Sequence, residues 1–232
     1  MNLDLHPDLS VSQLAIGAER APLLVIDNFV ANADALIEDA RARTFDVRSR
    51  FFPGIRAEAP PAYQQLLLTR ASSLLDRFDM PAGKLSLSMC HYSLITTPAH
   101  DLAPPQRIPH VDSFAKSGLA TIHYLFKAKH GGTAFYRHRR TGFESIDESR
   151  RETYARALYE EHSGGALPAP EYINGNTDLF EQIAKQEGVF NRLLIYRRNS
   201  LHSGCIEAGF VPDPNPSTGR LSINSFIDWA PK

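Results

Sequence analysis

Cysteine is scarce in this chain of 232 residues, which holds only Cys90 and Cys205. Two thiols cannot build a disulfide framework, and a thiolate metal site would need more partners. Free thiols suit a reducing compartment. Charge of one sign is missing too: 25 Lys and Arg stand against 26 Asp and Glu, for a formal net charge of −1. That balance removes any global drive toward nucleic acid or an anionic membrane. No basic stripe studded with aromatics stands out either. The short run Arg137-His138-Arg139-Arg140 reads as a solvated turn. No apolar run approaches the roughly 20 residues that span a bilayer. The opening Met1-Asn2-Leu3-Asp4-Leu5-His6-Pro7-Asp8 lacks the basic start and apolar run of a secretory leader. The expectation is a cytoplasmic protein with no nucleic-acid or membrane partner, without internal repeats or low-complexity tracts.

Hydrophobic residues make up 43% of the chain, enough for one sizeable core, and residues 1–232 read as a single domain. Pro22 to Val30 reads as a buried strand, followed by a helix over Ala31–Arg41 with Asn32 as N-cap. Phe51 to Ala57 reads as a Pro-Gly turn, where Arg56 could meet substrate or simply be solvated. Pro60 to Phe78 has apolar residues at helical spacing, as for a helix backing a sheet. From Leu85 onward strands dominate, except in an insertion at about 139–187. The insertion predicts a helix around Glu148–Tyr159, a Gly/Pro stretch and a short helix near Asp178–Lys185. Loops at the mouth of a barrel commonly carry specificity, so it is expected to act as a lid.

His110, Asp112 and His202 carry the chemistry. On a strand, residues i and i+2 point to the same side, so His110 and Asp112 can share one ion while Val111 faces away. His202, far downstream, can supply the third ligand from another strand. Two imidazoles and a carboxylate on one face of a metal leave the opposite positions open, as in non-haem Fe(II) oxygenases. The flanking segments are ordered. Leu119 to Phe126 is strand-like, Gly131-Gly132-Thr133-Ala134-Phe135-Tyr136 follows, and Asn191 to Gly204 is an apolar strand ending in His-Ser-Gly. In Arg220-Leu221-Ser222-Ile223-Asn224, the polar residues alternate with apolar ones and share one face.

These segments, in this order, resemble the Fe(II)- and 2-oxoglutarate-dependent dioxygenases, especially the prolyl-4-hydroxylase-like branch. Phe51-Phe52-Pro53-Gly54-Ile55-Arg56 is similar to a stretch in an uncharacterised bacterial family related to those hydroxylases. The resemblance implies a mainly β protein with flanking helices (α+β), a double-stranded β-helix or jelly-roll core with the N-terminal helices packed on its outer sheet. It implies Fe(II) held by His110, Asp112 and His202, with 2-oxoglutarate and O2 as co-substrates. Arg220 is then expected to fork onto the distal carboxylate of 2-oxoglutarate with Ser222 assisting. Arg197 and Arg198 stand in reserve, because a loop rich in Pro, Asn and Gly lengthens the gap between His202 and Arg220. Tyr92 is expected to give its phenol to the co-substrate or to pack as an aromatic, and His91 and His123 are expected to be core imidazoles. Asp112 favours hydroxylation, since halogenating relatives leave that ligand position open. The substrate is an amino acid, a peptidyl residue or a small metabolite, and a homodimer is left open. The rival readings are a non-redox metal-binding jelly-roll, acting as sensor or scaffold, and a cupin-like metal-dependent isomerase or hydrolase.

Overall fold

Leu119-Ala120-Thr121-Ile122-His123-Tyr124 is buried at every position. A strand covered on both faces needs no polar side, and this strand lies mid-sheet with side chains covered front and back. The computed structural model describes residues 3–48, 51–165 and 168–231. Its elements run β1 (Ser10–Ile16), β2 (Ala21–Asp27), α1 (Ala33–Arg41), β3 (Val47–Arg48), β4 (Gly54–Glu58), α2 (Pro61–Ser72), β5 (Gly83–Ile95), β6 (Leu119–Tyr124), β7 (Gly132–His138), α3 (Arg151–Ser163), β8 (Phe180–Gln186), β9 (Leu193–Arg197), β10 (His202–Cys205) and β11 (Leu221–Pro231). The protein is mainly β. One sheet of eight strands has the order β1-β2-β9-β6-β11-β5-β4-β3, and one of three strands has the order β10-β7-β8. Every pairing is antiparallel. From β5 the chain passes back and forth between the sheets. It visits the large sheet at β5, β6, β9 and β11, and the small one at a His110–His202 bridge, β7, β8 and β10.

Alternation along the large sheet sorts side chains into two layers. Leu24, Ile26, Leu193, Ile195 and Ile223 face the helices, packing with Leu36 of α1 and Tyr63 and Leu67 of α2. Leu23, Val25, Ile122, Leu194 and Tyr196 face the small sheet and meet Phe135. Asn32 caps α1 by accepting from the Ala35 N–H at 3.2 Å, while α2 starts on Pro61, whose missing N–H is no loss in the first turn.

Four expectations change. Asp178–Lys185 is not helical, because residues 180–186 pair as β8 along β7. Helix α3 of the insertion lies away from the mouth, since its Tyr154 and Leu158 pack with Ala134, Tyr136 and Phe180 on the outer face of the small sheet, while Tyr172 farther along donates to the Thr97 carbonyl at 2.6 Å. The run Arg137–Arg140 is a solvated turn only in its second half, Arg139 and Arg140, since Arg137 and the buried His138 end β7. Arg137 pairs with Glu144 and Glu181, the buried His138 meets Glu161 of α3, and Arg140 pairs with Glu160. The last two bonds tie α3 down. Arg56 sits in β4 rather than in a turn, since the Pro-Gly turn closes earlier, at the Gly54 N–H to Phe52 O bond.

Candidate metal centre

The centre forms where the segment before β6 touches the start of β10. The His110 N–H donates to the His202 carbonyl at 2.9 Å, and the His202 N–H returns the bond at 3.0 Å. This is a single bridge rather than the full strand expected; Pro109, with no N–H, cannot extend a ladder. Asp112 is fixed instead by its N–H donating to the Arg198 carbonyl at 2.8 Å.

The three side chains converge, with their ligand atoms all within 4.8 Å of one another. His110 Nε2 lies 3.7 Å from Asp112 Oδ1, and His202 Nε2 lies 3.5 Å from Asp112 Oδ2. A first-row ion at about 2 Å from each ligand holds neighbouring ligands roughly 3 Å apart, a small contraction from these spacings. Two observations favour a cation there. Asp112 Oδ2 is buried without a hydrogen-bond partner, a costly state for a carboxylate oxygen. His202 Nδ1 lies 3.0 Å from the Ser200 carbonyl, which puts the proton on Nδ1 and leaves the Nε2 lone pair toward Asp112. Desolvation, with the neighbouring His202, lowers the His110 pKa and favours the neutral ligand form. The His110 side chain is 47% exposed, against 9% for Asp112 and 7% for His202, so the centre opens on the His110 side. Among the described residues the group has three ligands, with no fourth.

Register shows which residues share the wall facing this centre, because opposed residues in an antiparallel pair project from the same face. One row runs Arg56, Ser93, Ser222, Tyr124 across β4, β5, β11 and β6; the next runs Glu58, His91, Asn224, Ile122. Tyr124 and Ile122 belong to the layer between the sheets, which fixes the facing of both rows. Arg220 stands just before β11, in phase with Ser222, and is 2% exposed. Its Nε donates to the His130 carbonyl at 2.9 Å and its Nη2 to the Gly132 carbonyl at 2.8 Å. It has no carboxylate partner among the described residues, and burial lowers its pKa. Beside it, the Tyr124 hydroxyl lies 2.7 Å from Thr133 Oγ1, and burial pushes the phenol up to about 12.

The structure therefore brings Arg220 and Ser222 to the face carrying Tyr124, and turns Tyr92 away. Tyr92 pairs with Ile223 on the helix side, where its hydroxyl donates to Asp39 Oδ2 of α1 at 3.1 Å. The cause is a bulge. Met89 pairs with Phe226 but Leu87 pairs with Ile227, so Ser88 is an extra residue and the alternation of β5 flips there. The reserve arginines are engaged elsewhere: Arg197 donates to the backbone carbonyls of Lys116 and Phe78, and Arg198 pairs with Asp228 at 2.6 Å. His123 is a core imidazole, bonded to Asn191 at 3.1 Å and stacked on Tyr63. His91 is not, since it stands on the wall in the row next to Arg56, half-buried, with Nδ1 unpartnered. Sequence reasoning passed over Tyr124 and Thr133; only the strand register relates them to Arg220.

Residues 7–227 match the model of a family of unknown function, DUF6445. The chain belongs to this family. No curated protein sequence matches it. Similar solved structures include the non-heme alpha ketoglutarate dependent epimerase SnoN from nogalamycin biosynthesis, 12% identical over 90% of this chain and 78% of that one, with a TM-score of 0.49. HygX from Streptomyces hygroscopicus, with nickel, 2-oxoglutarate and hygromycin B bound, is 11% identical over 90% and 83%, with a TM-score of 0.46. An N-substituted L-amino acid dioxygenase from Burkholderia ambifaria AMMD is 10% identical over 96% and 94%, with a TM-score of 0.45. These likenesses are distant, and the DUF6445 site is read from its own residues.

Proposed function

We propose that the chain is an Fe(II)- and 2-oxoglutarate-dependent oxygenase on a double-stranded β-helix, hydroxylating an amino acid, a peptidyl residue or a small metabolite. The observation that carries this reading is the Asp112 carboxylate, buried with one oxygen unpartnered between two imidazoles. The passage of the chain between the two sheets supports the jelly-roll, and the motif resemblance to prolyl-4-hydroxylase-like enzymes supports the cofactor. His110, Asp112 and His202 would hold the ion on one face and leave its remaining positions open. Iron supplies oxidation of a C–H bond to C–OH by O2, coupled to conversion of 2-oxoglutarate to succinate and CO2.

The protein's own groups have distinct tasks. Ser200 holds the His202 tautomer through its carbonyl, and Asp112 contributes the negative charge that favours a divalent ion. Arg220, already desolvated and oriented by two backbone carbonyls, would take the distal carboxylate of 2-oxoglutarate with Ser222, and Tyr124 and Thr133 would add hydroxyl donors. Phe135 and Tyr196 pack edge to face beside His202 and keep water from that side. The test is succinate formation from 2-oxoglutarate in the presence of Fe(II) and O2, with metabolite pools screened for a gain of one oxygen. The expected result is succinate above an Asp112→Ala control. Iron bound at these residues with no succinate above that control would favour the non-redox reading.

A further inference from the structure

A guanidinium withdrawn from water is tolerated when an anion or a full set of acceptors receives it. Arg56 has neither. Its Nε is buried without a partner, and its Nη1 lies 3.7 Å from the Met89 sulfur, a weak acceptor. The guanidinium sits 4.1 Å above the Phe52 ring, and no carboxylate pairs with it among the described residues. Desolvation lowers its pKa to about 10, and the one charge that opposes this is Asp112. The same proximity runs the other way, since Arg56 helps to lower His110. Arg56 therefore stands on the wall, within electrostatic reach of the centre and on the side of the exposed His110. His91 is adjacent in the next row with an unpartnered Nδ1 that can donate.

Counting charges separates this arginine from Arg220. 2-Oxoglutarate is a dianion: one carboxylate goes to the metal and the other needs one guanidinium, which Arg220 supplies. Arg56 is left over. One guanidinium beside a neutral imidazole, with the exposed Glu58 opposite that imidazole, offers at most a single positive charge, which matches a carboxylate better than a phosphate dianion.

We propose that Arg56, with His91 beside it, binds a carboxylate of the substrate at the open side of the metal centre, so that the oxygenase acts on a carboxylic acid. Calling the bound molecule a substrate rests on the oxygenase reading; the anion site itself does not. The substrate's carboxylate would be anchored by the Arg56 fork, with His91 Nδ1 as a second donor, and the carbon to be oxidised would be presented toward His110.

The site can be probed with acetate and acetamide, titrated into the metal-free, nitrogen-15-labelled chain. The readout is the Arg56 Nε–H resonance, assigned by its loss in Arg56→Lys. Acetate should shift that resonance saturably and acetamide should not. The His91 ring resonances should follow acetate with the same affinity and weaken about tenfold or more in Arg56→Gln, as expected for loss of a charge-assisted bond. Arg56→Lys should keep part of the affinity, which separates loss of charge from loss of fold. No saturable shift in the native chain, or an equal response in Arg56→Gln, would overturn the proposal. So would a fall in 2-oxoglutarate affinity in Arg56→Gln as large as in Arg220→Ala, because that would put Arg56 in the co-substrate pocket. With the Fe(II) enzyme, metabolite pools split on an anion exchanger should yield the oxygenated product from the retained fraction, and product from unretained material alone would contradict it. Saturable acetate binding in a chain that forms no succinate would leave the anion site standing and remove only the oxygenase reading.

Discussion

On the helix-covered face of the large sheet, His123 stacks on Tyr63 and bonds Asn191, and Tyr92 donates to Asp39. On the opposite face, one residue along the same strands, His91 has an open Nδ1 and Tyr124 lies beside Arg220, which has no anion. The two faces differ in the charge of what is left unpartnered. Behind the sheet Tyr92 and His123 Nε2 find partners within the chain, and the buried atoms that do not, Tyr63 Oη and His123 Nδ1, belong to neutral groups. In front, charged groups are oriented and desolvated but left incomplete, and Asp112, Arg220 and Arg56 are the clearest cases. An incomplete charge costs stability in the free protein, and the cost is recovered only when a ligand arrives.

The largest effects should follow from changing Asp112. Asp112→Ala should weaken Fe(II) binding by more than about 100-fold in a chelator competition, beyond the loss seen for groups that only support ligands. In the metal-free chain the sign reverses. Asp112→Asn should raise stability in urea unfolding by about 1–3 kcal/mol, because it removes an unpartnered buried charge. Unchanged or lower stability would mean that the carboxylate is already satisfied, and the contrast between the two faces would fail.

The helix face gives the next effect. Burial, offset only in part by the Asn191 bond, holds His123 at about 4 against an ordinary 6.5. Between those values the unfolded chain binds more protons than the folded one. Stability is therefore full above the ordinary value and falls as pH drops toward the folded one, by up to about 3 kcal/mol for this one group. Unfolding midpoints across that window should show the slope in metal-free protein, and His123→Leu should flatten it. A slope that survives the substitution would assign it to other groups, His110 first among them.

On the front face, Arg220→Ala should raise the KM for 2-oxoglutarate by about tenfold to a hundredfold, the equivalent of one charge-assisted contact of about 1.5–3 kcal/mol, with less change in kcat. Arg220→Lys should recover part of the loss, since a point charge lacks the fork. The smallest and most discriminating effect comes from the two tyrosines. Tyr92→Phe should cost about 1 kcal/mol of stability through the lost Asp39 bond and leave 2-oxoglutarate affinity alone, while Tyr124→Phe should weaken that affinity by a similar amount. The reverse pattern would restore Tyr92 to the co-substrate pocket.

How far the sequence could be read follows from where each signal lies. His110, Asp112 and His202 were legible because the ligand types are few and their flanking segments come in a fixed order. The polar phase of Arg220, Ser222 and Asn224 was legible because β11 alternates without interruption over those residues. Of the two readings open for Tyr92, packing holds because the Ser88 bulge flips the phase of β5, and a bulge leaves no local mark in a run of mixed serines and leucines. Arg56 reads as a turn residue because of the Pro-Gly pair before it, whereas it lies in β4, paired with Val47 of β3 and Ser93 of β5. The insertion is expected at the mouth because it falls between the two metal-ligand strands. What places its α3 and β8 is long-range, namely the buried His138 reaching Glu161 and β8 pairing along β7.

The most direct test of the central claim is an anaerobic titration of 2-oxoglutarate into the Fe(II) protein, followed by its metal-to-ligand charge-transfer band. The account predicts a saturable band in the native chain, the same band at higher 2-oxoglutarate concentration in Arg220→Ala, and no band in Asp112→Ala. No band in iron-loaded native protein, or an unchanged band in Asp112→Ala, would contradict it.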